Sequence, residues 1–256
     1  MTTGHCRLLQ QTDPRKVKLE YGKRLWNSVF DHNPRIAQRG EEGDFQIYYP
    51  RPNGMRGYIA SKSIQQWTWK EYKPPVGEIY LQPDELAFAE PYAPEIVIEP
   101  TIKAGASPNK QWHHWQLLVF KLRKEGFNLV QIGPRGTRWI QGCKFVETPN
   151  FRLACAVLAR SKLAILHEGG LHHATAVVGV PSIVIYGGYI SPASTGYDLH
   201  RNIFVYSDRY PLGCGMRIHC KHCADAMKSI TPEQVADEVK KMLSDKSLLP
   251  ATQATD

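Results

Sequence analysis

From about residue 95 onward, short apolar runs alternate with segments whose apolar positions recur at helical spacing. The runs at 96–99 (IVIE), 128–132 (NLVQI), 163–166 (LAIL), 182–186 (SIVIY) and 203–206 (IFVY) predict buried strands. Between them, 112–124 is amphipathic, and 151–161 and 170–179 read as helices, the latter built of small residues. A last helix opens at Thr231, with Pro232 and Glu233 in its first turn, and continues through Val235, Val239 and Leu243. Continuous apolar strands separated by helices require a parallel sheet covered on both faces.

The first 80 residues are less regular. Alternation at 16–21 (KVKLEY) and 45–49 (FQIYY) predicts two strands, and 5–11 reads as the tail of a helix. The stretch 77–90 predicts a short strand, then a helix with Pro83 near its first position and Asp84 and Glu85 in the first turn. The expected organisation is a reduced N-terminal α/β domain over 1–80, a Rossmann-like parallel-sheet domain over 81–245, and a polar tail over 246–256.

Composition narrows the class. With 42% hydrophobic and 22% charged residues in 256, the chain has the make-up of an ordinary globular protein. Its apolar stretches are too short for a membrane helix, and residues 1–16 offer no signal-peptide core, so a cytoplasmic protein is expected. The formal charge of +8 is spread along the chain and suits anionic small substrates as well as nucleic acid.

The strongest chemical signal is 163–188, LAILHEGGLHHATAVVGVPSIVIYGG. A buried strand ends, and His167-Glu168-Gly169-Gly170 turn tightly into a helix. Paired glycines let backbone approach a ligand, and free amides at a helix N-terminus attract phosphate. His172 and His173 follow in the first turn, within reach of a diphosphate or ribose. A tight connection with space-filling histidines is the plain alternative. The loop after IVIE places Ser107 and Lys110 before the next helix, again at the carboxyl edge of a strand, where a lysine can meet phosphate as a point charge.

In combination these segments resemble the donor-binding half of glycosyltransferase family nine, the ADP-heptose:lipopolysaccharide heptosyltransferases. Lys110 and Trp112 match the family's lysine–tryptophan pair that contacts donor phosphates. Glu168, Gly169, Gly170, Leu171, His172 and His173 match its strand-end motif for the nucleotide-sugar. Gly187 to Pro192, with Ser191, and Thr195-Gly196-Tyr197-Asp198 resemble the loop beside the sugar. The resemblance covers about residues 80–245 and implies a GT-B-like fold. It further implies inverting, metal-independent transfer of sugar from an ADP-sugar-type donor to a hydroxyl of a glycan or lipid-linked acceptor, with no cofactor. Peripheral membrane contact is compatible with such an acceptor, and the oligomeric state is left open.

Two features depart from the family pattern. Glu168 stands where aspartate is usual. The strand and Gly-Asp loop that carry the family's base are missing, and 1–9 (MTTGHCRLL) resembles the helix after that loop. Either the start is truncated, or His5 or another residue serves as base, or the protein does not turn over. A nucleotide-sugar-binding protein without turnover is therefore a second reading. A nucleic-acid glycosylating enzyme is a third, from the charge and from the aromatic-basic stretch Tyr48, Tyr49, Tyr58, Trp67, Trp69 and Tyr72 with Arg51, Arg56, Lys62 and Lys70. Those aromatics also suit an acceptor cleft or, for some of them, core.

Six cysteines are too few for a disulfide scaffold. Cys6, Cys143 and Cys155 are scattered, whereas Cys214, Cys220 and Cys223 cluster around His219 and His222. This C-x₅-C-x₂-C spacing can supply tetrahedral metal ligands. The expected role is nonetheless reduced structural thiols at a loop-to-helix junction, with a structural metal or a disulfide as alternatives.

Overall fold

The computed structural model describes residues 17–20, 28–38, 40–48 and 56–245. The helix tail expected at 5–11, His5, Cys6, Tyr49, Arg51 and the tail 246–256 lie outside the described residues, as does the side chain of Tyr48.

Strands β1 (Val17–Glu20) and β2 (Phe45–Tyr48) pair in parallel, Val17 opposite Phe45. Strands β3 (Ile59–Lys62) and β4 (Trp67–Trp69) form an antiparallel hairpin that the alternation did not disclose. Helix α1 (Pro83–Ala89) starts where its proline and acidic first turn place it, and Glu85 accepts from the Gln82 amide at 2.8 Å. The strand expected just before it does not form. Instead Ile79 and Leu81 pack on helices, so their apolar spacing is satisfied without a ladder.

The main unit follows in order: β5 (Ile96–Glu99), α2 (Trp115–Lys124), β6 (Leu129–Gly133), β7 (Lys144–Glu147), α3 (Phe151–Ala159), β8 (Leu163–His167), α4 (Gly170–Val177), β9 (Ser182–Gly187), α5 (Pro192–Thr195), β10 (Arg201–Phe204), α6 (Lys221–Ser229) and α7 (Pro232–Ser244). The sheet runs β10-β9-β8-β5-β6-β7 with every pairing parallel. From β5 the chain steps outward through β6 to β7, returns to the other side of β5 with β8, and steps outward again. That is the doubly wound dinucleotide-fold order, with its reversal between β5 and β8.

Alternation along the strands splits the core into two layers. Ile96, Ile98, Ile165 and Ile185 pack with α2, α6 and α7. Val97, Val130, Ala164 and Leu166 pack with α1, α3 and α4 on the opposite face. Full burial of such side chains is worth about 1.5–3 kcal/mol each, which makes the strand interiors the least replaceable part of the chain. Residues 28–31 and the β3–β4 hairpin, both within the stretch expected as N-terminal, dock on this unit. Arg152 donates to the carbonyls of Ser28 and Asp31, Trp67 donates its amide to Gly215, and the Tyr72 amide donates to Ala193. Among the described residues, no helix is long and apolar enough to cross a membrane.

Candidate functional site

Parallel strands deliver all their carboxyl ends to one edge, and the reversal leaves a crevice between the loops after β5 and β8. The chain from β5 runs through a turn at Pro108–Lys110, where the Ser107 hydroxyl accepts the Asn109 amide at 3.4 Å. This turn aims Lys110 across the crevice. Its ammonium is ion-paired with the Glu168 carboxylate, donates to the Glu168 carbonyl at 3.1 Å, and lies 5.6 Å from the centre of the Tyr189 ring. Lys110 and Glu168 are both largely shielded from solvent.

Burial by itself would push the Glu168 carboxyl upward. The Lys110 ammonium, with His172 and His173, outweighs it and holds the group below its ordinary value. Glu168 is thus held as a carboxylate, an internal counter-charge beside the Lys110 side chain.

Helix α4 begins immediately after Glu168. The first-turn amides of a helix have no intrahelical ladder partner, and no side chain stands over Gly169, while Phe151 lies 3.7 Å from where a Cβ on Gly170 would be. A Cβ at Gly169 would meet nothing within 4 Å. The Gly169 amide donates to His172 Nδ1 at 2.9 Å, which leaves the proton on Nε2 to be donated to the Thr195 carbonyl, also at 2.9 Å. His172 is fully buried with both ring nitrogens engaged, so it fixes the turn rather than reaching a ligand. His173 is the histidine that fronts the crevice, 2.8 Å from the Tyr197 hydroxyl. Burial lowers it to about 3, so it is a neutral hydrogen-bonding group at physiological pH.

Beside Tyr197 opens a cleft of ≈ 310 Å³ bounded by Tyr72, Lys73, Pro192, Gly196 and Asp198. Gly196 is thereby at the cleft wall, whereas Ser191 and Thr195 are buried and Ser191 caps α5 through the Ala193 amide. Gly187 turns the end of β9 at φ 61, with Met227 against it. Leu171 packs half-buried against the α1, α3 and α4 layer.

Two further residues expected at the site lie in the interior. Trp112 was expected to contact phosphates, but its side chain is fully buried, donating Nε1–H to the Ile230 carbonyl at 2.9 Å. Its amide donates to His167 Nε2 at 3.0 Å, so it anchors the Lys110 loop from below. Ser107 is likewise interior, its hydroxyl donating to the Met216 carbonyl at 2.8 Å.

The structure adds residues that the sequence did not assign to the site. Arg56, ahead of the hairpin, donates to the Tyr58 hydroxyl at 2.6 Å, and its charge adds to the lowering of His173. Buried His200 donates to the His172 carbonyl at 3.1 Å. Glu99, ending β5, is pushed up to about 8 by burial. Only their place at strand ends or beside aromatics could have marked them. The hairpin aromatics are largely core: Trp69 is buried, 5.3 Å from the Tyr189 ring and donating Nε1–H to the Tyr189 carbonyl.

No protein-family model matches the chain, and no curated protein sequence does. Solved structures do resemble it. Escherichia coli ADP-heptose lipopolysaccharide heptosyltransferase II shares 20% identity at a TM-score of 0.48, over 64% of this chain and 52% of that one. A family 9 glycosyl transferase from Veillonella parvula shares 16% at 0.48, over 64% and 53%. E. coli heptosyltransferase WaaC with ADP shares 14% at 0.42, over 62% and 47%. The chain spans about half the length of these structures.

Proposed function

We propose that the crevice between β5 and β8 binds the diphosphate of a nucleotide-sugar, and that the chain is the donor-binding part of a heptosyltransferase-like glycosyltransferase. One observation carries the reading: Lys110 is brought to the N-terminus of α4 at the point where the strand order reverses. Amides and an ammonium then converge where a diphosphate would lie, and the open space beside Gly169 permits close approach.

The chemistry that fits is displacement at the anomeric carbon by an acceptor hydroxyl, with inversion. The bond from that carbon to the diphosphate breaks as the new glycosidic bond forms. Negative charge grows on the leaving diphosphate, where Lys110 and the helix N-terminus are already placed to stabilise it. An ADP-sugar is the donor suggested by the sequence resemblance, and a glycan or lipid-linked hydroxyl the acceptor. Tyr197 and the cleft beside it are the surface on which the sugar or acceptor would rest. The candidate base His5 lies outside the described residues.

Calorimetric titration with ADP, UDP and GDP, then with an ADP-sugar, tests this on the wild type and on Lys110→Ala. A charge-assisted phosphate contact is worth about 1.5–3 kcal/mol, so the variant should lose roughly tenfold or more in affinity. Equal affinity in both proteins would remove the diphosphate from this crevice. Binding of the ADP-sugar with no transfer or hydrolysis would instead favour a nucleotide-sugar-binding protein.

A further inference from the structure

The segment after β10 gathers sulfur and imidazole in one place. Cys214 Sγ lies 3.6 Å from Cys220 Sγ and 3.0 Å from Cys223 Sγ, and His222 Nδ1 lies 3.8 Å from Cys223 Sγ. All four donor atoms fall within 4.8 Å of one another. The corners of a tetrahedron around a cation with metal–sulfur bonds of about 2.3 Å are separated by about 3.8 Å. The four atoms therefore already occupy a space of that size. The fourth ligand is one the cysteine spacing alone does not reveal.

The surroundings are arranged for anionic sulfur. The Met216 amide donates to Cys214 Sγ at 3.5 Å, and the Cys223 amide donates to Cys220 Sγ at 3.4 Å. Cys220 is the N-cap of α6, so its sulfur sits at the positive end of that helix. Such outer-shell donors orient thiolates and offset their charge at metal centres. The backbone also makes room. A Cβ on Gly188 would come 2.7 Å from His222 Cε1, and the Tyr210 ring packs edge-on against the imidazole at 5.0 Å. By contrast, Cys143 and Cys155 are buried singly among apolar side chains.

We propose that Cys214, Cys220, Cys223 and His222 form a structural site for one divalent transition-metal ion, with Zn²⁺ the ion best suited to three thiolates and an imidazole. The site clamps the loop that presents Lys110. Asn109 donates to the Met216 and Ile218 carbonyls at 2.8 and 2.7 Å, and its Oδ1 accepts the Cys220 amide at 3.0 Å. Arg217 donates to the Gly105 carbonyl at 2.8 Å. The peptide between Cys214 and Cys220 is therefore bonded to residues 105–109 along its length. A metal that fixes the first segment fixes the second.

Metal analysis of the full chain purified under reducing conditions should find about one ion per chain, zinc and iron both being measured. Co²⁺ added to metal-stripped wild-type protein should give the visible bands of a tetrahedral site and a thiolate charge-transfer band. Cys223→Ser and His222→Ala should lose metal, whereas His222→Cys, which keeps four donors, and His219→Ala should retain it. Amide exchange at 105–110 should quicken on metal removal. Wild-type protein with all three thiols reduced that takes up neither Zn²⁺ nor Co²⁺ would overturn the proposal. So would a disulfide joining two of the three in freshly purified protein, or full metal retention by Cys223→Ser.

Discussion

The Lys110 ammonium is held twice by one residue, by the carboxylate of Glu168 and by its backbone carbonyl. The loop after β5 and the turn after β8 are joined by this contact, and the Lys110 charge is countered from within the chain.

That relationship has a signed consequence. Glu168→Gln removes the internal counter-charge yet keeps a side chain of the same size, so Lys110 faces the crevice with its full charge. Free nucleoside diphosphate is expected to bind the variant more tightly than the wild type. Lys110→Met acts in the opposite sense, since it leaves a buried carboxylate unpaired. Breaking one partner of a buried pair costs about 3–5 kcal/mol, so this variant should lose stability as well as affinity. Calorimetry and urea denaturation on the two proteins check both halves. Equal or weaker diphosphate binding by Glu168→Gln would mean that the carboxylate itself helps to hold the ligand.

Stability should peak near neutrality for a reason readable at the strand ends. Burial lowers His167 and His173 to about 3 and His200 to about 4, the Lys110 charge adding to the effect on His167. Each therefore takes up a proton on unfolding once the pH is below about 6.5, the ordinary histidine value. The stability they confer is complete above that pH and is lost as it falls toward 4 and then 3. Glu99 behaves oppositely. Burial raises it to about 8, so its contribution is present below the ordinary carboxyl value and is lost as the pH climbs to 8. Each such proton changes stability by about 1.4 kcal/mol per pH unit. Urea midpoints should fall steeply below pH 6.5 and gently above it. In Glu99→Gln the gentle limb should flatten while the steep one remains; a limb unchanged by the substitution would assign it to another group.

How much of this was legible in the sequence depends on what each feature rests on. The strands β5, β6, β8, β9 and β10 announce themselves because both faces are buried, leaving unbroken apolar runs. Helix α7 declares itself by its Thr231 cap and Pro232. Helix α6 does not, for it opens HCKHC with a cysteine as cap, and its inward face of Cys223, Ala226 and Met227 holds one large apolar side chain. Edge strand β7 and the hairpin were likewise hidden. Each of these strands is only three or four residues long, and the hairpin is held in place by a contact far along the chain, Gln66 donating to the Cys214 carbonyl at 2.8 Å. In the candidate site, the glycine turn and the strand-end loop of Lys110 could be read, because a strand-to-helix turn has a local pattern. Which of Trp112, His172 and His173 turn inward could not, since that is decided by Ile230, Thr195 and Tyr197 on distant elements.

Arg152 is the staple between the N-terminal segment and the sheet unit. Buried in α3, it donates to both carboxylate oxygens of Glu85 at 2.6 and 2.7 Å, and to the Tyr80 carbonyl at 2.6 Å. Its other contacts reach residues 28–31. Arg152→Met should cost about 3–5 kcal/mol by leaving the Glu85 carboxylate without its cation. Adding Glu85→Leu should recover part of that loss, because no charge is then buried alone. Denaturant midpoints of the single and double variants decide it. A double variant no more stable than Arg152→Met would place the cost in the lost carbonyl contacts instead.

Trp112 separates what the motif implies from what the burial shows. If the indole touched the donor phosphates, replacing it would weaken ligand binding directly. In the structure it is sealed beneath the Lys110 loop, with its ring 5.2 Å from Trp115 and its Nε1–H spent on the Ile230 carbonyl. Trp112→Phe preserves an aromatic ring in that place but leaves the carbonyl without its donor. An unsatisfied buried group costs about 1–3 kcal/mol, so the expected result is a lower urea midpoint. The backbone amide that donates to His167 is untouched by the substitution, so the loop keeps its course and Lys110 its position. Nucleoside diphosphate affinity should therefore match the wild type. A tenfold loss of affinity with no loss of stability would return the indole to the ligand and would mean that the loop opens when the site is filled.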